Sequence, residues 1–435
     1  MGPGLDTARE EVFRITLSTI NTDIYIMEQI KGRYCKDCVV YSDTMDQDAR
    51  SIIYSFVDHP MFEGSMIRIM PDVHAGKDIV VGFTAPFRDA VNPDHIGGDI
   101  GCTVSTTITS TPINPANYAA IEAKIREQVK FGMTLQERTR FKTVELYNHL
   151  KLRLQEAQQA WSEYVMRTDV SEKGIMQMLT RIDMNSVDFY RQIGTVGGGN
   201  HFIEIGVTPE GNYAVTVHCG SRNFGQKVWK YWHAIANNPH YEHPSRGYLS
   251  GEQMKGYITD MVIAQAYAEF NHITIHKLIA DIFAAVDGNG LDIVEQIITT
   301  HNYIDFARRM MRKGAVASIA GEKLVIPFNM RDGLIICSGK SNPDWNCSAP
   351  HGAGRLMSRS MAKELIDIDE YRESMKGIYT TSVQTDTIDE SPMAYKDPME
   401  ILEAIQDTVD VLYFVKPVIN MKSRSDEIVT DEEQD

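Results

Sequence analysis

The chain has 435 residues, 43% of them hydrophobic and 23% charged, the composition of a folded protein with an ordinary core rather than a disordered or fibrous one. Its formal net charge of −16 argues against a broad phosphate-binding surface, which normally leaves a basic footprint. Six cysteines are too few for a disulfide scaffold at this length and fit a reducing compartment.

No apolar run reaches the roughly 18 residues that span a bilayer. The start lacks a basic segment leading into an apolar signal core, so a cytoplasmic location without membrane association is expected. Acidic residues crowd the segment Asp426–Asp435, read as a flexible, solvated tail that leaves residues 1–425 as one catalytic unit. Two short basic stretches, Lys227–Lys230 and Arg308–Lys313, could still line a groove.

The first 60 residues read as mixed helix with a strand at Cys38–Tyr41, ending in a turn at His59 and Pro60. Cys35 and Cys38 form a CxxC pair, but with no second pair and no βαβ context the spacing is read as coincidence. Between Met66 and Ser110 the β-branched runs Met66–Met70 and Ile79–Thr84 alternate with Gly, Asp and Pro turns, predicting short strands that present polar turns. From Asn114 to about Tyr190 the pattern is helical and almost free of glycine, as a helical insertion would be. Strands return between Gly194 and Gly225. A long helix is predicted over Gly251 to Ala285, strands over 323–338, and helices over 354–366 and 398–414. The fold class expected is α/β (α+β), one interleaved unit with short strands around a central site and long helical insertions.

The polar turns carry the chemistry. In "HIGGDIGC" the glycines free the backbone, so that the Asp99 carboxylate and the Cys102 thiol, three apart, can approach one point. Three histidines sit at element edges: His201 after "TVGGGN", His218 closing "YAVTVH", and His301 ending "LDIVEQIITTH". Sulfur with imidazole favours zinc by softness, and the added carboxylate also admits manganese or iron. Five ligands exceed one tetrahedral site and would allow two ions bridged by the thiolate, an arrangement suited to phosphoryl chemistry.

"SAPHGAGRLMSRSMAKELI" places His351 in a Gly-rich turn read as lying immediately before a helix. The unpaired N–H groups of that helix, with Arg355 as a bidentate donor, would hold phosphate. A neutral imidazole there can attack an α-phosphate and form a phosphoramidate. "AGKD" lacks the glycine spacing and the Ser or Thr of a P-loop, which disfavours that class of ATPase. In "HFIEI", alternation puts Phe202 and Glu204 opposite His201, one face for metal and the other for a stacked purine.

In order along the chain, "MPDVHAGK", "GGDIGC", "GGGNHFIE", "VHCGSRNFGQ", "RKGA", "SAPHGAGRLMSR" and "AYK" resemble the motifs of the RtcB family of RNA-splicing ligases, from about Arg68 to Lys422. The resemblance implies an enzyme that joins RNA bearing a 2′,3′-cyclic phosphate or 3′-phosphate to a 5′-hydroxyl end, with GTP, two manganese ions and an archease-type activating partner. It implies that Asp99, Cys102, His201, His218 and His301 hold metal and that His351 carries GMP. It further implies a catalytic role for Asp72, and nucleotide contacts from Asn200, Phe202, Glu204, Asn302, Gly352, Ala353, Gly354, Tyr395 and Lys422. Arg222 in "CGSRNFG" is expected to meet RNA phosphate.

Departures fall elsewhere. The family's "PGSMG" turn keeps Pro327 and Met330, also assigned to the nucleotide, but carries Phe328, Asn329 and Arg331. Leu334 stands where a nucleotide-contacting Ser is expected, and Met311 replaces the His of "HRKGA". The pattern is that of a divergent paralogue. A second reading keeps the metals without ligation, as a metallo-phosphodiesterase opening cyclic-phosphate RNA ends.

Overall fold

The computed structural model describes residues 27–76, 79–237 and 247–424; the start of the chain, Lys77 and the acidic segment 426–435 lie outside them. Two sheets organise the described residues. The first runs in the spatial order Glu28–Ile30, Asp37–Val40, Met66–His74, Val81–Pro86, Met310–Lys313, Asn302–Asp305. Asp37–Val40 and Met66–His74 pair in parallel and the remaining pairs are antiparallel. All three strands predicted before residue 85 are therefore present, with ends shifted by at most four residues.

The second sheet is antiparallel throughout, in the order Ile293–Thr300, Thr103–Thr109, Tyr213–Cys219, Phe202–Val207, Val409–Met421, Gly333–Gly339, Lys323–Asn329. It curls until its two outer strands meet, where Val325 N donates to Thr299 Oγ1 at 3.0 Å. The enclosed face is filled by Val104, Ile108, Ala214, Ile297, Val325, Leu334, Ile336 and Val415. The opposite face, Ile203, Ile205, Val215, Val217, Ile419 and Met421, packs on helices Tyr118–Gln128 and Gly251–Asp287. The period-two alternation of "FIEI" and "AVTV" is what lets these strands serve two environments at once.

The helical reading of residues 114–190 holds, as Tyr118–Gln128, Thr143–Ala160, Glu172–Arg181 and Ser186–Arg191. The last three pack in the core shared with the long helix Gly251–Asp287. That helix spans 37 residues and ends at Gly288, whose φ of 78° supplies the left-handed cap that glycine adopts without a Cβ penalty.

Two expectations are corrected. The helix predicted over 398–414 ends at Ala404, and Val409–Met421 is instead a central strand paired on both sides. Its Val, Tyr, Phe and Ile residues favour a pleated, buried position once two neighbours are on hand. The helix predicted over 354–366 begins only at Arg359, capped by Ser358, whose Oγ accepts from Met361 N. "HGAGRLM" is therefore an irregular segment that follows the short strand Ser348–Pro350.

The hairpin Asn302–Asp305/Met310–Lys313 brings Asn302 opposite Lys313. It is locked by Arg312, which is fully buried and donates to Asp305 Oδ2 at 2.7 Å and to Ser348 Oγ at 3.0 Å. Arg312→Met is expected to cost about 3 kcal/mol by leaving Asp305 in the interior with a weaker partner. Chemical denaturation would measure the loss, and an unchanged midpoint would show that the pair is dispensable.

Candidate functional site

A cavity of about 980 Å³ opens where the ends of four neighbouring strands converge. Strand Thr103–Thr109 follows Cys102, Phe202–Val207 follows His201, Tyr213–Cys219 ends in His218 and Cys219, and Ile293–Thr300 precedes His301. The register pairs His218 with both Val104 and Phe202, and Thr300 with Thr103. All four donors thus lie at one end of the curled sheet. Asp99 enters from the glycine turn, and it can do so because a Cβ on Gly220 would lie 2.1 Å from Asp99 Oδ1.

The five residues named from the sequence form two overlapping groups, Asp99–Cys102–His201 and Cys102–His218–His301, with the ligand atoms of each within 4.8 Å of one another. Cys102 Sγ lies 3.4 Å from His201 Nε2 and 3.3 Å from His218 Nε2, and the Nε2 atoms of His218 and His301 are 3.3 Å apart. His201 Nε2 meets Asp99 Oδ2 at 2.9 Å while its Nδ1 is tied to Val196 O at 2.9 Å, which aims the ring.

The electrostatics of this cluster call for a cation. Burial, reinforced by the Asp99 charge, pushes the Cys102 thiol well above its ordinary value. Burial, reinforced by neighbouring imidazoles, drives His218 and His301 well below theirs. Burial also opposes the charge on Asp99, but the His201 hydrogen bond overcomes it and carries its pKa down to about 2. His301 Nδ1 is buried without a hydrogen-bond partner. Neutral imidazoles, a carboxylate and a thiol converging in a desolvated pocket fit one or two divalent ions, which would stabilise the thiolate and occupy the converging lone pairs.

His351 stands beside this cluster, its ring centroid 4.7 Å from that of His301. Asp72, wholly buried near the end of the strand Met66–His74, accepts from His351 Nδ1 at 2.6 Å and from His351 N at 3.1 Å. That geometry puts the ring proton on Nδ1 and the lone pair on Nε2. Gly354 makes the approach possible, since its φ is 75° and a Cβ there would lie 2.4 Å from Asp72 O. The anion-binding helix end expected next to His351 is absent, because the helix starts eight residues later. Arg355 lines the cavity, donating to Met357 O at 3.1 Å and Asp389 O at 2.8 Å and lying over the Tyr395 ring.

The far wall of the cavity carries Phe202, Glu204, Tyr395 and Lys422. Lys422 Nζ lies 5.6 Å from the centre of the Phe202 ring and donates to Asn200 O at 3.2 Å. Glu204 is buried, and that burial pushes its carboxyl up to about 8 against the opposing pull of Asn420 and Lys422. His201 precedes the strand rather than belonging to its alternation, so both it and Phe202 approach His218, at ring separations of 5.0 and 5.5 Å. The expected division into a metal face and a purine face is thereby corrected.

The other named residues fall into place around these. Asn302 lines the cavity but uses both ends of its amide structurally, donating to Asp99 O and accepting from Gly314 N. Pro327, Met330, Gly352, Ala353 and Gly354 also line it, with Met330 held beneath by the Tyr371 hydroxyl. Arg222 lies on the cavity wall and donates to Gly132 O at 3.1 Å. Leu334 lies in the enclosed core of the sheet instead. The basic stretch 308–313 does not form a groove: Arg308 and Arg312 pair with Asp305, Arg309 with Glu163, and only Lys313 of the four cations reaches the cavity.

Sequence reasoning missed Glu390, which is buried and accepts from Lys422 at 2.7 Å, Tyr395 at 2.5 Å and Arg359 at 2.5 Å. Burial opposes its ionisation, but Lys422, Arg359 and Arg355 together hold it far below the usual carboxylate range. It also missed Asn420 on the cavity wall. No local pattern marks these residues, whose partners are distant along the chain.

Protein purified without chelator is expected to retain a divalent metal, measured by elemental analysis. Cys102→Ala removes the atom common to both donor groups and should weaken retention by about tenfold or more, the scale for losing even a supporting contact. Unchanged metal content in the variant would contradict the cluster's assignment.

Comparison with known proteins agrees with this geometry. The family model for the tRNA-splicing ligase RtcB matches residues 55–423. The RNA-splicing ligase RtcB of Escherichia coli (strain K12) is 28% identical over 405 residues, covering 87% of this chain and 95% of that protein. The tRNA-splicing ligases RtcB of Pyrobaculum aerophilum and Aeropyrum pernix are 26% and 27% identical, covering 77% and 76% of this chain and 83% and 82% of theirs. With a match over most of its length and this cavity at its centre, the chain belongs to the RtcB family, an enzyme family of RNA-splicing ligases.

Proposed function

We propose that this chain joins RNA ends, linking a 2′,3′-cyclic phosphate or 3′-phosphate terminus to a 5′-hydroxyl through GMP carried on His351. The observation that carries the reading is His351 itself, its Nδ1 held 2.6 Å from the buried Asp72 carboxylate and its ring against the His301 edge of the donor cluster.

His351 Nε2 attacks the α-phosphorus of GTP, forming an N–P bond as the bond to pyrophosphate breaks. Asp72 keeps the proton on Nδ1 and stabilises the positive charge that develops on the ring. An RNA 3′-phosphate oxygen then takes the GMP from His351 and restores the neutral imidazole. The 5′-hydroxyl oxygen attacks the activated RNA phosphorus, and GMP leaves as the phosphodiester forms. A cyclic phosphate must first be opened to a 3′-phosphate by water.

Asp99, Cys102, His201, His218 and His301 would hold manganese, Cys102 being common to both donor groups; bound there, the metal would supply positive charge to neutralise phosphate oxygens. Phe202 and Tyr395 offer faces for a base, and Glu204 an acceptor for its N–H groups. Arg222 offers a cation on the path the RNA would take. A cytoplasmic setting and an archease-type activator complete the reading. Leu334 lies in the core rather than on the cavity, so it gives the phosphodiesterase alternative no support.

The test is joining of a 3′-phosphate RNA to a 5′-hydroxyl RNA by the purified chain with manganese, with and without GTP. Product is expected only with GTP, and turnover of cyclic-phosphate ends without it would favour the phosphodiesterase. Asp72→Asn should slow the nucleotide-transfer step by about 100-fold or more while leaving GTP affinity nearly unchanged.

Glu204 also sets a pH dependence. Its carboxyl is neutral below about 8, and a base presenting N–H groups requires the ionised form, so binding releases a proton. Guanine-nucleotide affinity should fall about tenfold per pH unit from 8 to 6 and level off above 8. A pH-independent affinity measured by calorimetry would refute this role.

A further inference from the structure

Glu204 and Asn420 are direct partners across adjacent strands, and each is only 2% exposed. Both line the cavity. Asn420 Nδ2 donates to Glu204 Oε2 at 2.8 Å. Ionised, as base binding requires, Glu204 only accepts, so this bond fixes the amide with its nitrogen toward Glu204 and its oxygen turned away. Glu204 Oε1 and Asn420 Oδ1 are then both buried without a hydrogen-bond partner. Two neighbouring acceptors are left unfilled in the interior, where such groups ordinarily find donors.

The surroundings define what can fill them. Period two places Phe202 and Glu204 on one face of their strand, and Asn420 and Lys422 on the same face of the next. Lys422 Nζ, over the Phe202 ring, adds a cationic donor on the same face. A ligand matching this edge is planar and carries two adjacent N–H donors followed by an acceptor. Guanine presents that sequence in its 2-amino group, N1–H and O6. Adenine presents a bare N1 at the same place and would set an acceptor against acceptors. Glu204 Oε2 already accepts from Asn420, so the two wholly unfilled acceptors on this edge are Glu204 Oε1 and Asn420 Oδ1, one for each of the two guanine donors.

We propose that Asn420 is a specificity-determining residue, its Oδ1 accepting from the 2-amino group of guanine while Glu204 Oε1 accepts from N1–H. The inference rests on the reading of this cavity as a nucleotide site. It predicts discrimination against hypoxanthine, which differs from guanine only by lacking the 2-amino group.

Calorimetric affinities of the full, metal-loaded chain for GTP, ITP and ATP test it. Wild type should bind GTP about tenfold more tightly than ITP, the scale of one hydrogen bond, and should discriminate further against ATP. Asn420→Ala should bring the GTP to ITP ratio close to one. Asn420→Gln, which keeps both the donor to Glu204 and an acceptor, should preserve much of it and serves where the alanine variant fails to fold. A wild-type ratio near one overturns the proposal, as does a folded Asn420→Ala chain that keeps the preference. Correct ratios in a chain that never transfers GMP to His351 would uphold this inference and remove the ligase reading. Transfer from GTP and ITP alike would do the reverse, and absence of nucleotide binding would overturn both.

Discussion

The structure depends on the burial of a thiol, three imidazoles and a carboxylate around one point. Left to themselves these groups are costly: the Cys102 thiol is pushed up, His218 and His301 are pushed down, and His301 Nδ1 has no hydrogen-bond partner. A chain does not desolvate so many polar groups together without something to offset the cost, and a divalent cation does so for all of them. The curled antiparallel sheet is what holds the donors in place. Its strands begin or end at Cys102, His201, His218 and His301, so hydrogen-bond register fixes the spacing that no single loop could hold.

His351 belongs to the other half of the molecule. It is delivered by the short strand Ser348–Pro350 and seated by Asp72 from the first sheet, while the imidazoles it faces come from the second. The nucleophile therefore sits at the junction of the two sheets, and Gly354 lets the segment that carries it pass close against the backbone of Asp72. The negative charge of the whole chain is no obstacle to a phosphate substrate there. Lys313, Arg222, Arg359 and Lys422 all line the cavity, and their cationic character is local, invisible in a net sum.

Much of this was legible in the sequence, because Asp99, Cys102, His201 and His351 lie in or beside glycine-rich turns, while His218 and His301 close apolar strand-like runs. Strand alternation placed Phe202 and Glu204 on a common face correctly. It failed at His201, because a residue just outside a strand is not bound by its period. The segment 398–414 read as helix because its apolar spacing suits either element over a short run, and only pairing with strands 202–207 and 333–339 decides the matter. The helix at 354–366 was placed too early for a similar reason: the Ser358 cap is plain once the chain's path is known, but "GAGRLMS" offers several starts. Glu390 and Asn420 were missed altogether. Their roles rest on contacts spanning 32 and 216 residues of sequence, which no local pattern records.

The central claim is that His351 Nε2, released by the Asp72 contact, carries the nucleotide beside the metal cluster. Peptide mapping by mass spectrometry of the chain after incubation with GTP and manganese tests it most directly. The account predicts GMP on the peptide containing His351, labile to acid and stable to alkali as a phosphoramidate on imidazole. GMP on Lys313, Lys363 or Lys422, the lysines that share the cavity, would contradict it, as would a chain that ligates RNA with no covalent nucleotide at all.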